Sequence, residues 1–197
     1  MEKKLENFYA YYAQLSQISF MGKLYKRYFI APLLYLNARK FGKNIIEIGS
    51  GIGSGLLGAY PKKIVGLEIN PYAVKLCQDR GLTVELIEIN QPYPMDNASV
   101  DVCVLDNVLE HISDANYSLK ECLRITRNSG GLIIAVPGVK GFAFDDDHKV
   151  FYDESKLQTL HPEWSMLYCF STPFIFKSNW LSKHLKQYCL VAVYIKK

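Results

Sequence analysis

Paired cysteines, long apolar runs and a strong excess of one charge are all missing from this sequence. The formal net charge is only +4 over 197 residues, well short of the concentrated basic surface of a dedicated nucleic-acid binder. The five cysteines form no CxxC pair, which argues against a zinc or redox motif and favours buried free thiols in a reducing compartment. No segment has the length and apolarity to span a bilayer, and the first residues lack the apolar core of a signal peptide. We therefore expect a cytoplasmic protein with no nucleic-acid partner and no stable membrane insertion.

The length and the order of elements predict an α/β domain. A chain of 197 residues is long enough for one full-sized domain and short for two. From Asn44 onward, short apolar runs such as "NIIEI", "KIVGLEI" and "LTVELIEI" alternate with helical segments, a pattern typical of a parallel sheet covered by helices on both faces. The pair Asn70-Pro71 predicts the start of the helix after the second strand, and Gly81 predicts its end. A turn is expected at "NSGG", before the fifth strand. Two β-like runs near the end, at 164–170 and 188–197, would add strands at the sheet edge. We expect a doubly wound, mostly parallel sheet of about seven strands, the last one antiparallel.

Residues 1–40 predict a helical addition before this sheet. Aromatic and aliphatic residues recur at three- and four-residue spacing from Phe8 to Ile18, and a second helical stretch follows Gly22, which is expected to interrupt the first. An aromatic stripe with lysines is typical of a helix on a membrane surface or, more commonly, of an amphipathic helix packed on its own domain. We predict a single domain over 1–197, with 1–40 as a lid or cap and 44–197 as the core.

The stretch "EIGSGIG", which begins at Glu47, follows the first predicted strand and contains three alternating glycines. A dinucleotide fingerprint needs GxGxxG, but the sixth position is Ser54 when counted from Gly49 and Leu56 when counted from Gly51. A P-loop is excluded because no Gly-Lys-Ser/Thr follows. The carboxylate of Glu47 would also repel a phosphate group beside it. The loop therefore predicts a ligand that carries positive charge and no phosphate.

S-adenosylmethionine is a ligand of this kind, since it has an ammonium and a sulfonium but no phosphate. A carboxylate at the end of the first strand suits its cationic amino-acid end, and glycines let the backbone approach closely. Glu68 ends the second predicted strand, where an acidic side chain can bind both ribose hydroxyls. A strand-end carboxylate alone is as often a solvated charge. Together with Glu47 and the glycines, Glu68 favours a binding role.

The sequence resembles the class I S-adenosylmethionine-dependent methyltransferases, of the small-molecule, methyltransferase-11-like type. "EIGSGIG" and "GLEIN" resemble motifs I and II of that family. "INQPYPMDNASVDVCVLDNVLEHI" and "LKECLRITRNSGGLIIAVP" resemble its later segments in the same order, so that the resemblance covers roughly 44–160. It implies a Rossmann-like fold, S-adenosylmethionine as cofactor and S-adenosylhomocysteine as product.

The resemblance also implies roles for residues at matching positions. Glu47 and the glycines after it would hold the methionine part, Glu68 the ribose, and Ile69 would pack on the adenine. The position that commonly carries an aspartate for the adenine amino group is Asn90 here, whose amide oxygen still accepts a hydrogen bond. Asp106 ends the fourth strand, where cofactor and substrate sites meet. The implied cofactor-binding residues are Glu47, Gly49, Ser50, Gly51, Gly53, Glu68, Ile69, Asn90, Gln91 and Asp106.

Two histidines are candidates for a catalytic base. Methyl transfer from a sulfonium is an in-line displacement, and a hydroxyl acceptor benefits from a base that removes its proton. His111 in "LEHI" follows the fourth predicted strand and His148 in "DDDHKVFYD" follows the fifth, so both loops leave the sheet at the ligand edge. A lone histidine is more often structural, and the two are therefore catalytic hypotheses. His161 and His184 are weaker candidates.

The three aspartates Asp145, Asp146 and Asp147 stand directly before His148. Carboxylates with an imidazole can bind a divalent cation, and aspartates also hydrogen-bond sugar hydroxyls. Adjacent residues in a loop rarely converge on one ion, and the sequence offers no second cluster to complete the site. We predict no metal.

These patterns predict methyl transfer to a small-molecule or saccharide acceptor, at oxygen. The alternative is a catalytically inactive S-adenosylmethionine-binding module that acts as a partner or regulatory subunit, and Asn90 in place of aspartate fits that reading. A nicotinamide-dependent dehydrogenase has the wrong glycine spacing, and an amino-group nucleic-acid methylator would need an Asn/Asp-Pro-Pro-Tyr motif. The sequence sets no oligomeric state.

Overall fold

The computed structural model describes residues 6, 8–10, 12–13 and 20–197. Seven strands form one sheet in these residues. The strands are β1 Ile45–Ile48, β2 Ile64–Glu68, β3 Val84–Leu86, β4 Val100–Asp106, β5 Thr126–Pro137, β6 Trp164–Thr172 and β7 Cys189–Lys196.

The helices lie before, between and after these strands. They are α1 Phe20–Tyr25, a π-helical stretch Lys26–Ile30, α2 Ala31–Ala38, α3 Leu56–Ala59, α4 Pro71–Asp79, a 3₁₀ turn Leu109–His111, α5 Asn116–Ile125, α6 Val139–Phe142, α7 Glu154–Gln158 and α8 Asn179–His184. No helix in the described part of the chain is both long and apolar enough to cross a membrane.

The sheet has the order β3-β2-β1-β4-β5-β7-β6. All neighbouring pairs from β3 to β5 are parallel. Strand β7 runs antiparallel to both β5 and β6, and is the one reversed strand of the seven. The prediction of a doubly wound, mostly parallel, Rossmann-like sheet with the last strand antiparallel is confirmed. The carboxyl ends of β1, β2, β3, β4 and β5 therefore meet at one edge, where a ligand is expected.

Helices cover both faces of the sheet, because its central strands are apolar on both sides. Alternate residues of β4 point to opposite faces: Val102 and Val104 join a cluster with α2, α3 and α4, while Cys103 and Leu105 join a cluster with α5. All five cysteines are free thiols; Cys77, Cys103 and Cys122 are buried as predicted, whereas Cys169 and Cys189 are partly exposed.

Two predicted boundaries are wrong. The third strand is short, since the chain leaves the sheet after Leu86 and exposes Ile89. The predicted turn "NSGG" lies inside β5. There Thr126 pairs with Val100 and Gly131 with Val102, so the extra residues form an irregularity in the strand, a role that turn residues also fill.

The described residues of the N-terminal segment are helical as far as Ala38, but Gly22 lies within α1 and does not interrupt it. The interruption comes at the π-helical stretch, after which Pro32 stands in the first turn of α2, where its missing N–H costs nothing. The rest of the predicted first helix (residues 1–5, 7, 11 and 14–19) falls outside the described residues. The division into a cap over 1–40 and a core over 44–197 stays a prediction.

The predicted start and end of α4 are confirmed. The Oδ1 atom of Asn70 accepts hydrogen bonds from Tyr72 N at 3.0 Å and Ala73 N at 3.4 Å, as a helix cap does. Gly81, with φ of +75°, follows the last turn in the left-handed conformation that glycine adopts without strain.

One arginine holds the loop between β3 and β4. Arg124 on α5 donates to Met95 O at 2.8 Å and to Tyr93 O at 2.9 Å. It also pairs with Glu121, from Nη2 to Oε2 at 2.7 Å. The same Glu121 oxygen accepts from Tyr93 N at 2.7 Å. Glu121 is buried, so its charge depends on Arg124 for compensation.

We predict that Arg124→Met destabilises the fold by about 2 kcal/mol or more, because it leaves a buried carboxylate without its cation and two carbonyls without donors. Urea unfolding followed by circular dichroism measures the change. The matched control is Lys120→Met on the exposed face of the same helix, which should stay within about 0.5 kcal/mol of the wild type. Equal stability of the two variants would contradict the role given to Arg124.

Candidate cofactor and active site

The loop after β1 adopts a backbone that glycine alone fits. Gly49, Gly51 and Gly53 have φ of +68°, +54° and +66°, all in the left-handed region. Gly49 N donates to Leu67 O at 2.7 Å, and a Cβ atom on Gly49 would stand 2.6 Å from a methyl group of Val108. The loop therefore turns back over the carboxyl ends of β1 and β2, with its backbone at the ligand edge.

The carboxylate of Glu68 joins this loop to the end of β2. Its Oε2 atom accepts from Gly51 N at 2.7 Å, and Oε1 accepts from Ile69 N at 2.8 Å and Asn70 N at 2.9 Å. Burial raises the pKa of Glu68, and the three amides oppose that shift. Because a carboxylate oxygen has two acceptor sites, Oε2 keeps one for a further donor such as a ribose hydroxyl.

Two more carboxyl groups converge beside the loop. Glu47 Oε2 accepts from Leu57 N at 2.7 Å. A Cβ atom on Gly55 would stand 3.3 Å from Glu47 Oε1 and 3.5 Å from Asp106 Oδ2, so these two oxygens flank the same glycine. Burial, and then the charge of Asp106, raise the pKa of Glu47 to about 8.

A lysine of the N-terminal segment supplies positive charge at this place. The charge of Asp106, and to a smaller degree those of Glu47 and Glu110, raise the pKa of Lys26, against the effect of its burial. The carboxyl groups thus already attract one cation in the protein alone.

The structure places the remaining predicted cofactor residues as follows. Ser50 is buried, and its Oγ lies over Gly66 of β2 with no hydrogen-bond partner among the described residues. Ile69 is 38% exposed directly after Glu68. Asn90 and Gln91 are exposed beyond the end of β3, and Asn90 has φ of +59°. All of them follow the carboxyl ends of β1, β2 or β3 in the chain.

The two histidines predicted as catalytic come together. The ring centroids of His111 and His148 lie 4.6 Å apart. His148 Nδ1 is 2.8 Å from Phe142 O and His111 Nδ1 is 2.9 Å from Asp147 Oδ2. Burial lowers the pKa of His111, an effect that Asp147 opposes. The loops after β4 and β5 thus form one joint site.

Glu110 lies beside the two histidines as a third titratable group. The sequence did not predict this role. Glu110 is 1% exposed, and its Oε1 atom lies 3.9 Å from His148 Nε2. Neither carboxylate oxygen has a hydrogen-bond partner among the described residues. Burial, with a smaller contribution from Asp106, raises the pKa of Glu110 to about 8. The sequence feature that points to Glu110 is its position directly before the candidate base His111 in "LEHI".

The acidic run before His148 does not converge on one point. Asp145 Oδ1 accepts from Asp147 N at 3.0 Å, Asp147 pairs with His111, and Asp146 is exposed. The two weaker histidine candidates contact other groups, His184 the carbonyl of Trp180 and His161 the amide of Glu163.

Residues 46–134 match the family described as "Methyltransferase domain", a stretch from β1 into β5. Over 105 residues the chain is 31% identical to a probable S-adenosylmethionine-dependent methyltransferase of Mycobacterium tuberculosis, a match that covers 52% of this chain and 38% of that protein. Over 101 residues it is 31% identical to a phthiotriol/phenolphthiotriol dimycocerosates methyltransferase of Mycobacterium leprae, covering 48% and 37%. The chain thus spans well under half the length of these curated relatives.

Solved structures share the fold over nearly the whole chain. One is from the complex between the Haloferax volcanii Trm112 methyltransferase activator and the putative methyltransferase, with TM-score 0.70, 15% identity and coverage of 96% of this chain and 97% of that one. Another is a Thermotoga maritima S-adenosylmethionine-dependent methyltransferase, described as a possible histamine N-methyltransferase, with TM-score 0.67, 17% identity and full coverage of both chains.

We predict that the free energy of unfolding of the Glu47→Gln variant increases relative to that of the wild type as pH rises. The pKa of Glu47 is raised from 4.5 to about 8 in the folded protein, so the folded state holds a proton that the unfolded chain loses. Wild-type stability from this group is present below pH 4.5 and is lost as pH rises through about 8. Glutamine cannot ionise and avoids that loss.

Urea unfolding of both proteins at about pH 5 and about pH 8 measures this effect. The stability difference should shift by about 1 kcal/mol or more in favour of the variant, because one pKa unit corresponds to about 1.4 kcal/mol. An unchanged difference between the two pH values would show that Glu47 titrates normally.

Proposed function

We propose that this chain, whose residues 46–134 match the family described as "Methyltransferase domain", is a class I S-adenosylmethionine-dependent methyltransferase that transfers a methyl group to a hydroxyl of a small-molecule or saccharide acceptor. The observation that carries the proposal is the meeting of His111 and His148 at the edge where the glycine loop and its carboxylates lie. We also propose a cytoplasmic location and no nucleic-acid substrate, as the mild charge and the free cysteines suggest.

The residues at this edge suit S-adenosylmethionine, the cofactor of this domain class. Glu47 and Asp106 flank Gly55 with oxygens that favour a cation, and the free acceptor site on Glu68 Oε2 suits a ribose hydroxyl. The left-handed glycines provide backbone without side chains for the amino-acid end. When bound, the cofactor supplies an electrophilic methyl group on its sulfonium.

His148 is the stronger of the two candidate bases. Its Nδ1–H donates to the Phe142 carbonyl in the neutral tautomer, which leaves Nε2 as the proton acceptor. A base held in one tautomer can take the proton of an acceptor hydroxyl as the oxygen attacks. That chemistry favours a hydroxyl acceptor over an amine, because an amine that arrives unprotonated does not need a base.

Exposed aromatic rings on the segments that follow β5 and β6 suit contact with an acceptor. Phe144 and Trp180 are each about two-thirds exposed, with Phe176 close behind. Trp180 lies on α8, which packs on α6 through the hydrogen bond from Val139 N to Ser182 Oγ at 3.0 Å. At the end of α6, the Phe142 ring stacks on His148 with centroids 5.2 Å apart. Flat exposed rings of this kind pack against apolar molecules and against the apolar faces of sugars.

We infer that the N-terminal segment covers the cofactor. Asn70 Nδ2 donates to Phe8 O at 2.8 Å, and the Tyr9 ring meets that of Tyr72 at 5.4 Å. Both contacts lie directly after Glu68. They support a cap or lid role for residues 1–40.

We predict that the wild type transfers label from methyl-labelled S-adenosylmethionine to a small molecule in cell extract, and that His148→Gln slows the transfer by about 10²-fold or more. Cofactor affinity of the variant, measured by calorimetry, should stay within about threefold, since His148 lies outside the glycine loop. The matched control is His161→Gln, which should keep full activity.

Two results would contradict the proposal. Full activity of His148→Gln would remove this residue from catalysis. Cofactor binding by the wild type without any transfer of label would favour the alternative, an inactive binding module that serves as a partner or regulator.

A further inference from the structure

We propose that Glu110, His111 and His148 bind one divalent transition-metal ion, in place of the metal-free site expected from the sequence. Each of the three offers a ligand atom, and these atoms all lie within 4.8 Å of one another. About a metal with bonds of 2.0–2.2 Å, ligand atoms stand about 3–3.5 Å apart. A contraction of at most about 1.3–1.8 Å would therefore bring this set to coordination distance.

The buried carboxylate of Glu110 is the strongest sign of a missing ligand. It is 1% exposed, and both oxygens lack a hydrogen-bond partner among the described residues. Buried polar groups are nearly always paired, and a buried carboxylate without a partner is costly. An ion between Glu110 and the histidines would satisfy it.

The surroundings of the histidines are those of metal ligands. A ligating histidine usually donates its other ring nitrogen to a carbonyl or a carboxylate. His148 does so from Nδ1 to Phe142 O at 2.8 Å, which leaves Nε2 on the side of Glu110. Asp147 Oδ2 holds the His111 ring at 2.9 Å. Both rings are thus oriented by groups outside the three ligands.

The backbone fixes the two loops that carry these side chains. Glu110 O accepts from Lys149 N at 2.7 Å and from Val150 N at 3.1 Å, and Lys149 Nζ donates to His111 O at 2.9 Å. The 3₁₀ turn after β4 is therefore tied to the segment that contains His148. Such pre-organisation lowers the cost of assembling a metal site.

The ligand chemistry selects the class of ion. Two imidazoles and one carboxylate suit Zn²⁺, Fe²⁺ or Mn²⁺, whereas Mg²⁺ and Ca²⁺ prefer oxygen ligands alone. Three protein ligands leave at least one coordination position open. Use of that position to hold the acceptor oxygen rests on the proposed function, and the ion would then take over activation of the hydroxyl from the histidine base.

The test is a calorimetric titration of the tag-free full chain with Zn²⁺, after treatment with a chelator, in the absence of cofactor and acceptor. We expect one saturable site with a Kd of about 10 µM or below. Glu110→Gln and His148→Gln should each weaken binding by about 100-fold or more, while His161→Gln should bind as the wild type does. Co²⁺ absorption gives a second readout of the same site.

Thermal unfolding and cofactor affinity of each variant check that it folds. The absence of saturable binding in the wild type, or equal binding by folded Glu110→Gln, would overturn the metal site. The outcome is separable from the proposed function: metal binding without methyl transfer overturns only that function, whereas methyl transfer by a protein that binds no metal overturns only the metal site.

Discussion

Four buried carboxyl groups at one edge of the sheet are the constraint on which the rest of the site depends. Glu47, Glu68, Asp106 and Glu110 are each at most 9% exposed, and buried carboxylates need hydrogen bonds, cations or protons. Glu68 is satisfied by three loop amides. Glu47 has one amide and a raised pKa, and Glu110 has no hydrogen-bond partner among the described residues. The edge is therefore built to receive positive charge.

The topology explains why these groups meet. Glu47 and Glu68 lie at the carboxyl ends of β1 and β2, Asp106 ends β4, and Glu110 follows it in the next turn. Parallel strands bring such ends to one edge. The apolar strands between two helical layers fix their positions, and the left-handed glycine loop brings its amides to the Glu68 carboxylate. Fold and candidate site thus have the same physical origin.

The sequence predicted the parts of the structure that depend on local pattern. Apolar runs located the strands, and the Asn70-Pro71 pair located the start of α4 because a side-chain cap acts within a few residues. The glycine spacing excluded a dinucleotide fingerprint, and Glu47 and Glu68 favoured a cationic, phosphate-free ligand. The prediction of a turn at "NSGG" was wrong because turn residues also occur at irregularities within strands. The pairing of β5 with β4 distinguishes the two cases.

Contacts between distant loops could not be predicted in the same way. Glu110 and His148 are 38 positions apart, and nothing local signals that the carboxylate faces the imidazole. The acidic run that begins at Asp145 was a candidate cation site in the sequence, yet its contact with the histidine pair is the hydrogen bond between Asp147 and His111. Burial, which makes Glu110 notable, is a property of the folded molecule and has no signature in a two-residue pattern.

A crystal structure with S-adenosylhomocysteine bound is the most direct test of the central claim, that this edge binds a cationic, phosphate-free cofactor. We expect the amino-acid end of the ligand against Gly49, Gly51 and Gly53 beside Glu47 and Asp106, with the ribose hydroxyls on Glu68. We also expect the open side of the pocket, where a methyl group would sit, to face His148 and Glu110. A ligand bound elsewhere, or one whose ribose makes no contact with Glu68, would contradict it.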